Sequence, residues 1–374
     1  MARDLGRFSP EGITTRSHQR RRNGNGVVDI RAPGEGTPDV GLALLSEILD
    51  GEGMKPRLRN ALALASDSVI DATSLVALKA GARAVVAYRI IMGSDAAPTE
   101  VFAKHFSSAA QAQRVHEIMA ALWRESQSDE ARFGAPRPLA HAEDMDTIFY
   151  LPANGTPLDD ALWSSRSSLS MKMTAEALVS LHSSPVALVR SFDVVKEVRL
   201  AFEWARLVAA VRPKLGSTAL TMATRLGRCA PTVALQQDVP IHKDLHYKHV
   251  IVGDRCAFVD LDEMRFGDPS FDLAHFCAYL NLLGIRKKAR SWETKLLEWL
   301  FLDTYGRASG WRLDERFGFF STYTYLKIAK QLCMEEGVRP RPNGKDRIRQ
   351  LRAVLSLGLI AARSLPPHEG GSTN

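Results

Sequence analysis

The sequence predicts an α+β chain with two lobes, in which a small β-rich lobe precedes a larger, mainly helical lobe. Before Pro152 the folded part contains short runs of β-branched and apolar residues, whereas after Pro157 apolar residues recur at helical spacing. The segment Ala153-Asn154-Gly155-Thr156-Pro157 between these regions has the composition of a linker. We expect residues 41–152 to form the small lobe and residues 153–374 the helical lobe. The cleft between them is then the expected ligand site.

The small lobe follows a lead-in, residues 1–40, whose Gly, Arg, Pro and Ser content predicts a disordered tail. A helix is expected over Gly41–Leu49. Ser107 and Ser108 are candidate caps for a second helix that continues to Trp123. Strands are predicted at three places: Ala84–Ile91, Glu100–Phe106 and Asp146–Leu151.

In the larger lobe, apolar periodicity predicts a series of helices interrupted by one short hairpin near residues 250–260. These helices cover Met171–His182, Val194–Val211, Ser217–Arg228, Pro269–Leu283, Ser291–Tyr305, Phe317–Cys333 and Asp346–Arg363.

The positive charge of the chain is concentrated at its two ends. Forty-nine Lys+Arg and 42 Asp+Glu give a net charge of +7, yet residues 1–26 carry a surplus of four positive charges and residues 281–374 a surplus of eight, so residues 27–280 are at −5. This distribution argues against a protein that coats nucleic acid. No apolar run is long enough to span a membrane. The four scattered cysteines favour a reducing compartment, and we expect a cytoplasmic protein.

Polar side chains gather at one end of the predicted hairpin. If Asp254 and Arg255 are its two central turn residues, Gly253 faces Cys256 and His249 faces Asp260. Asp244 lies in the loop just before the first strand. This register predicts a cation site with a carboxylate base beside it, although polar hairpin ends are also common in purely structural roles.

The next segment predicts a helix start at which Asp268 is the cap and Pro269 the first helical residue. Asp272 falls one turn into this apolar helix. A carboxylate is costly there unless it is paired, so Asp272 is expected to tie the helix to the loop around Asp244.

Three segments together resemble the aminoglycoside phosphotransferase family of kinase-like enzymes. They are His242-Lys243-Asp244-Leu245-His246-Tyr247-Lys248-His249, Val259-Asp260-Leu261-Asp262 and Gly267-Asp268-Pro269-Ser270-Phe271-Asp272-Leu273-Ala274. The spacing between them agrees with the family pattern throughout. The resemblance implies a protein-kinase-like fold and transfer of phosphate from ATP to the hydroxyl of a small molecule.

The resemblance also implies roles for individual residues. Asp244 is the expected catalytic base, and Asp260, with His249 and Asp262, the expected metal set for Mg²⁺ or Mn²⁺. The nucleotide is expected to contact Lys104 on a strand, its ion-pair partner Glu117, the glycine loop at Gly81, and the interlobe hinge at Tyr150 and Leu151. Two positions depart from the family, since His249 replaces an asparagine and the loop at Gly81 has a single glycine.

These departures leave several functions open. Asp262 is an alternative source of the oxygen ligand that His249 lacks, and a nucleotide-binding pseudokinase that regulates a partner is the main alternative to an enzyme. A protein kinase is disfavoured, since no Ala-Pro-Glu follows the metal segment. The basic run Arg286-Lys287-Lys288 and Arg290 argues for a neutral or anionic acceptor over a polycationic aminoglycoside. An aminoglycoside kinase stays an alternative. It is equally plausible that these basic side chains lie on a solvated outer face and have no role in binding the acceptor. The sequence does not define the oligomeric state.

Overall fold

The computed structural model describes residues 48–64, 68–79, 83–91, 98–335, 339–340 and 344–365. The predicted tail over residues 1–40 and the loop residue Gly81 lie outside the described residues. Of the helix expected over Gly41–Leu49, only the last two residues are described, and both are helical.

The N-lobe is built around a five-stranded antiparallel sheet with the strand order β1-β2-β3-β6-β5. Val86, Tyr88 and Ile90 of the central strands are buried in the core between this sheet and the first helix. In chain order the N-lobe elements are α1 Gly51–Leu62, β1 Val69–Lys79, β2 Arg83–Ile91, β3 Thr99–Phe106, α2 Ala109–Ser126, β4 Phe133–Gly134, β5 Arg137–Ala142 and β6 Thr147–Leu151.

The three strands predicted in this lobe match β2, β3 and β6, whereas β1 and β5 were not expected. Both missed strands lie at the edges of the sheet. An edge strand is half solvated and lacks a continuous apolar run, as Val76 of β1, with 54% exposure, illustrates. The predicted cap Ser108 does precede α2, but its side chain makes no capping hydrogen bond.

The C-lobe is a helical body into which short strands are inserted. Its elements are β7 Thr156–Pro157, α3 Leu158–Ala161, α4 Ser167–His182, α5 Val194–Val211, α6 Pro213–Cys229, β8 Val239–Ile241, β9 Val250–Val252, β10 Cys256–Phe258, β11 Arg265–Gly267, α7 Pro269–Lys287, α8 Ser291–Ser309, α9 Glu315–Cys333, β12 Met334–Glu335, β13 Arg339–Pro340 and α10 Lys345–Arg363.

The helices predicted in the C-lobe all form, with ends within a few residues of the expected ones, and the two-lobed α+β prediction is confirmed. One buried core runs from Val115 and Ile118 of α2 through the C-lobe helices, so α2 packs with the larger lobe as well as with the sheet. Among the described residues, none of the helices combines the length and apolar character that crossing a membrane requires.

The hairpin that precedes the metal segment has a different register from the expected one. Val252 pairs with Cys256 and Val250 with Phe258, so the connection contains three residues and the predicted pairing of Gly253 with Cys256 is wrong. The reason lies in the linker, since β7 pairs with β9 and the Gly253 backbone approaches Asn154 so closely that a Cβ would lie 2.5 Å from the Asn154 carbonyl oxygen. His249 and Asp260 consequently lie outside the ladder.

Candidate active site

The loop from His242 to His249 connects β8 to β9 and carries Asp244. Lys243 has a left-handed backbone with φ of 70°, which a side chain adopts only when its surroundings hold it there. The His242 imidazole Nε2 lies 2.9 Å from the carbonyl oxygen of Val259, at the end of the hairpin. The loop is therefore a fixed structure that links the two segments of the site.

Asp272 of α7 anchors this loop to the helix, as its position in the sequence predicts. Its fully buried carboxylate accepts the backbone N–H groups of His242 at 2.6 Å and Lys243 at 2.8 Å. His182 at the end of α4 donates its Nε2–H to the same carboxylate at 3.1 Å and contacts the Tyr305 hydroxyl through Nδ1 at 2.8 Å. Three donors on two elements thus satisfy one buried charge.

Asp244 lies against two side chains that the sequence did not identify. The Lys327 ammonium on α9 donates to Asp244 Oδ1 at 2.6 Å, and the buried His275 Nε2 lies 3.6 Å from the same oxygen. Burial by itself raises the pKa of the Asp244 carboxyl, but the Lys327 ammonium outweighs it, and the pKa lies well below its ordinary value. Asp244 is therefore an ionised carboxylate that binds a hydroxyl proton better than it removes one.

The His275 ring is neutral and acts as an acceptor toward Lys327. Its Nδ1 lies 2.9 Å from the Leu245 carbonyl oxygen, which only accepts, so Nδ1 carries the proton and Nε2 accepts from Lys327 at 3.1 Å. Burial holds the pKa of His275 well below its usual value. Lys327 thus uses two of its three N–H donors within the protein.

The N-lobe meets the C-lobe at a pair of carboxylates. Lys104 of β3 is buried and donates to Asp260 Oδ1 and to Asp262 Oδ1, at 2.6 Å in each case. Arg83, the first residue of β2, binds the same two carboxylates at 3.1 Å and 2.6 Å. Burial raises the pKa of Asp260, but Lys104 and Arg83 lower it further than burial raises it.

The carboxylates approach one another in a segment that is not a strand. The strand β10 ends at Phe258, Asp260 has a left-handed backbone with φ of 61°, and Leu261–Glu263 forms one turn of 3₁₀ helix. Asp262 is buried, while Asp260 retains 22% exposure of its side chain and faces the cleft. The sharp reversal at Asp260, rather than strand alternation, brings both carboxylates to Lys104.

The donor set around Asp260 fits a divalent cation. His249 Nδ1 lies 2.8 Å from the Asp244 carbonyl oxygen, so Nδ1 carries the proton, and burial lowers the pKa of His249 and keeps the ring neutral. Its Nε2 lone pair then lies 3.5 Å from Asp260 Oδ2. Two electron-pair donors this close repel each other unless positive charge lies between them, and carboxylate oxygens are the ligands that Mg²⁺ and Mn²⁺ prefer.

A second set of ligand-type atoms, from Asp244, His246 and His249, lies within 4.8 Å of one another. His246 is a poor ligand in this arrangement. Its Nδ1 accepts the Lys248 N–H at 3.2 Å, so the neutral ring carries its proton on the other nitrogen. Burial, with a smaller effect of His249, lowers the pKa of His246 to about 3. The carboxylate pair is thus the better cation site.

The remaining predicted site residues are placed differently. Glu117 lies exposed on α2 and accepts a hydrogen bond from Gln113 at 2.5 Å. Because Lys104 is bound by Asp260 and Asp262, the expected ion pair between Lys104 and Glu117 is not formed. Tyr150 and Leu151 end β6, where the ladder with β3 stops at Tyr150. Burial and the nearby Asp260 and Asp262 raise the pKa of Tyr150, whose ring stacks on Phe102 with centroids 5.6 Å apart.

A buried ionic cluster around the Lys243 side chain also supports the loop. Lys243 lies with its ammonium 4.5 Å from the ring centroid of Phe271 and 3.1 Å from the Glu197 carboxylate. Tyr323 donates its hydroxyl to Glu197, and Arg265 lies 3.7 Å from the same carboxylate. Burial, partly offset by Glu197, lowers the pKa of Lys243 to about 8.

The residues that sequence reasoning missed are Arg83, Lys327 and His275. Arg83 lies two residues after Gly81, and its charge at a hairpin end was the available signal. Lys327 and His275 fall within apolar helices, α9 and α7. A charged or titratable residue on an otherwise apolar helix face is a sign of a buried partner, and that pattern was present in the sequence.

Comparisons with known proteins indicate the family and the fold of this chain. The model of a family described as the phosphotransferase enzyme family matches residues 81–311. No curated protein sequence matches the chain. An amicoumacin kinase in complex with AMP-PNP, Ca²⁺ and Ami is similar in structure, with a TM-score of 0.56, 12% identity, and coverage of 86% of this chain and 97% of that chain. A choline kinase from Streptococcus pneumoniae gives a TM-score of 0.53 at 12% identity and covers 83% of this chain and 98% of that chain.

Proposed function

Because the chain belongs to the phosphotransferase enzyme family, we propose that it transfers the γ-phosphate of ATP to the hydroxyl of a neutral or anionic small molecule. The observation that carries this proposal is the meeting of Lys104 from the N-lobe with Asp260 and Asp262 from the C-lobe, at 2.6 Å in each case. Phosphoryl transfer needs groups that position the reactants and balance phosphate charge, and these residues supply both.

Each residue has a defined role in this proposal. Asp244 accepts a hydrogen bond from the acceptor hydroxyl and orients it toward the phosphate, because Lys327 holds the carboxylate in its ionised form. Lys104 and Arg83 are the cations available to the nucleotide phosphates. Asp260, with His249 and Asp262, would hold Mg²⁺ or Mn²⁺, which when bound balances the phosphate charge. The interlobe hinge at Tyr150 and Leu151, at the end of β6, is the proposed adenine contact.

The expected cellular location follows from the same chemistry. The four cysteines are buried and no disulfide joins them, which suits a reducing compartment, and ATP is a cytoplasmic substrate. We place the activity in the cytoplasm as part of this proposal. The domain limits proposed for it are an N-lobe of residues 41–152 and a C-lobe of residues 153–374.

Substitution of the central residues tests the proposal. ADP release is measured with ATP, Mg²⁺ or Mn²⁺ and a panel of hydroxyl compounds of differing charge. Asp244→Asn is expected to lower kcat by about 10² or more with little effect on nucleotide affinity, and Lys104→Met to weaken nucleotide binding. Asp129→Asn, at an exposed site outside the cleft, is the matched control. ATP binding without ADP production in wild type, unchanged in Asp244→Asn, would favour a regulatory nucleotide-binding protein instead.

A further inference from the structure

Three arginines lie around the turn Leu261–Glu263, which contains Asp262 of the carboxylate pair. Arg190 donates to the Asp262 carbonyl oxygen at 3.1 Å and to Glu263 Oε2 at 2.9 Å. Arg265 of β11 donates to the same Glu263 oxygen at 2.6 Å. Two guanidinium groups therefore converge on one carboxylate oxygen, which is the arrangement in which arginines bind carboxylates and phosphates.

The third arginine, Arg114 on α2, adds positive charge without a carboxylate of its own. Its Nε is buried and has no hydrogen-bond partner among the described residues. Burial and the neighbouring Arg190 lower the pKa of Arg114, while Glu263 has the opposite effect, so these groups share one environment. The helix α2 packs directly on the turn Leu261–Glu263.

The charges in this environment do not balance. Arg114, Arg190, Arg265 and Lys243 are cationic, whereas the carboxylates near them are Glu197, Glu263 and Asp262. Asp262 is already bound by Lys104 and Arg83. Glu197 is buried and bound by the Tyr323 hydroxyl. Glu263 is the exposed partner, with 49% of its side chain accessible. An oxyanion from solution can therefore bind where the exposed carboxylate of Glu263 now lies.

This cluster of Arg114, Arg190 and Arg265, called here the arginine cluster, borders the catalytic loop. Arg265 is the cross-strand partner of Ile241, which immediately precedes that loop. Arg265 and Lys243 contact the same Glu197 oxygen, and Lys243 adjoins Asp244 in the chain. Arg265 of the cluster and the residue that precedes Asp244 therefore share one carboxylate, that of Glu197.

We propose that the acceptor is an alcohol that carries a phosphate or carboxylate group, and that this group binds Arg190 and Arg265 in place of the Glu263 side chain. The inference rests on the proposed phosphotransferase function and defines its substrate class. Binding exchanges an internal carboxylate for an external oxyanion, so the two guanidinium groups keep their partners and the surplus positive charge is reduced.

The first experiment measures anion binding without catalysis. Inorganic phosphate is titrated into the full chain by calorimetry in the presence of saturating AMP-PNP and Mg²⁺, which occupy the nucleotide phosphate positions. Arg190→Gln is expected to weaken phosphate binding by roughly tenfold, the value of one lost hydrogen bond to a charged group, whereas Glu263→Gln strengthens it severalfold. Arg132→Gln, a control that removes an exposed cation paired with Glu176, leaves phosphate binding unchanged.

The second experiment compares matched acceptors by ADP release: glycerol, glycerol 3-phosphate and glycerate, and a sugar with its phosphate and acid forms. The anionic members are expected to be preferred, and the phosphate and carboxylate arms distinguish the two sources of oxyanion. Arg190→Gln is expected to raise KM for the anionic members much more than for the neutral members, and Arg190→Lys to restore part of the loss.

The two experiments separate the two hypotheses. If wild type releases no ADP with any acceptor, the proposed function fails, and the phosphate titration still decides whether the arginine cluster binds anions. If neutral or cationic acceptors are turned over preferentially, the substrate class is wrong while the phosphotransferase function stands. Phosphate binding that is the same in wild type, Arg190→Gln and Glu263→Gln overturns the anion site.

Discussion

The buried carboxylate of Asp272 offers the sharpest test of how the catalytic loop is held. The substitution Asp272→Asn keeps the size of the side chain but replaces one acceptor oxygen by an NH₂ donor. Oδ2 accepts from His242 N–H and His182, and Oδ1 accepts from Lys243 N–H at 2.8 Å. In its better orientation the Asn amide keeps the first two hydrogen bonds and opposes the third with a donor.

The cost follows from these contacts. A hydrogen bond to a charged acceptor contributes about 1.5–3 kcal/mol, and a buried N–H left without an acceptor costs about 1–3 kcal/mol. The two retained bonds also weaken when their acceptor loses its charge. We expect Asp272→Asn to reduce the free energy of unfolding by about 3–5 kcal/mol, well above the usual effect of a single substitution.

Urea unfolding followed by circular dichroism measures this change. The matched control is Asp193→Asn at the start of α5, where an exposed carboxylate accepts a single backbone N–H from Lys196 at 3.0 Å. Asn is as good a helix cap as Asp, so the control is expected to change stability by less than about 0.5 kcal/mol. A loss below about 1 kcal/mol for Asp272→Asn would refute the view that this carboxylate anchors the loop.

Two further predictions concern charge. Lys327→Met removes the ammonium that lowers the pKa of Asp244, so the acidic limb of the kcat/KM profile is expected to move to higher pH by about one unit or more, while Lys327→Arg keeps the profile near that of wild type. The pKa of Lys243 is about 8 in the folded chain, which is below its value in the unfolded chain. Between pH 8 and 10 the unfolded chain therefore binds more protons than the folded chain, and the stability of wild type rises with pH. The gain is at most about 1.4 kcal/mol per pH unit. Urea unfolding of Lys243→Met at pH 8 and 9.5 is expected to lack this gain, and an equal slope in both proteins would contradict the assignment.

Local signals in the sequence were sufficient for the elements that carry the site. The cap at Asp268, the proline that follows it and the carboxylate at Asp272 are properties of one short segment, and the structure has all three as expected. The register of the hairpin was wrong by one residue because it depends on a contact with Asn154, which is remote in sequence. Arg83 and Lys327 were missed for the same reason, since each meets its carboxylate across more than eighty residues.

For Glu117, the helical pattern of apolar residues predicts the position of the side chain better than the resemblance to the family does. The buried residues of α2 include Val115, Ile118 and Leu122, which define one helix face. At 100° per residue, Glu117 falls on the opposite face of the same helix. The apolar periodicity of α2 was therefore enough to separate Glu117 from Lys104, and the exposed position of Glu117 follows from it.

The location of the positive charges changes the argument about the acceptor. Arg286, Lys287 and Lys288 are exposed at the C-terminal end of α7, where cations stabilise a helix through its dipole, so this run has a structural explanation of its own. The cations that border Asp244 and the carboxylate pair are instead Lys327, Lys104, Arg83 and the arginine cluster, which are partly or fully buried. A buried cation costs desolvation energy that only an anionic partner repays. The case for an anionic acceptor therefore rests on these buried groups and is independent of the net charge of the chain.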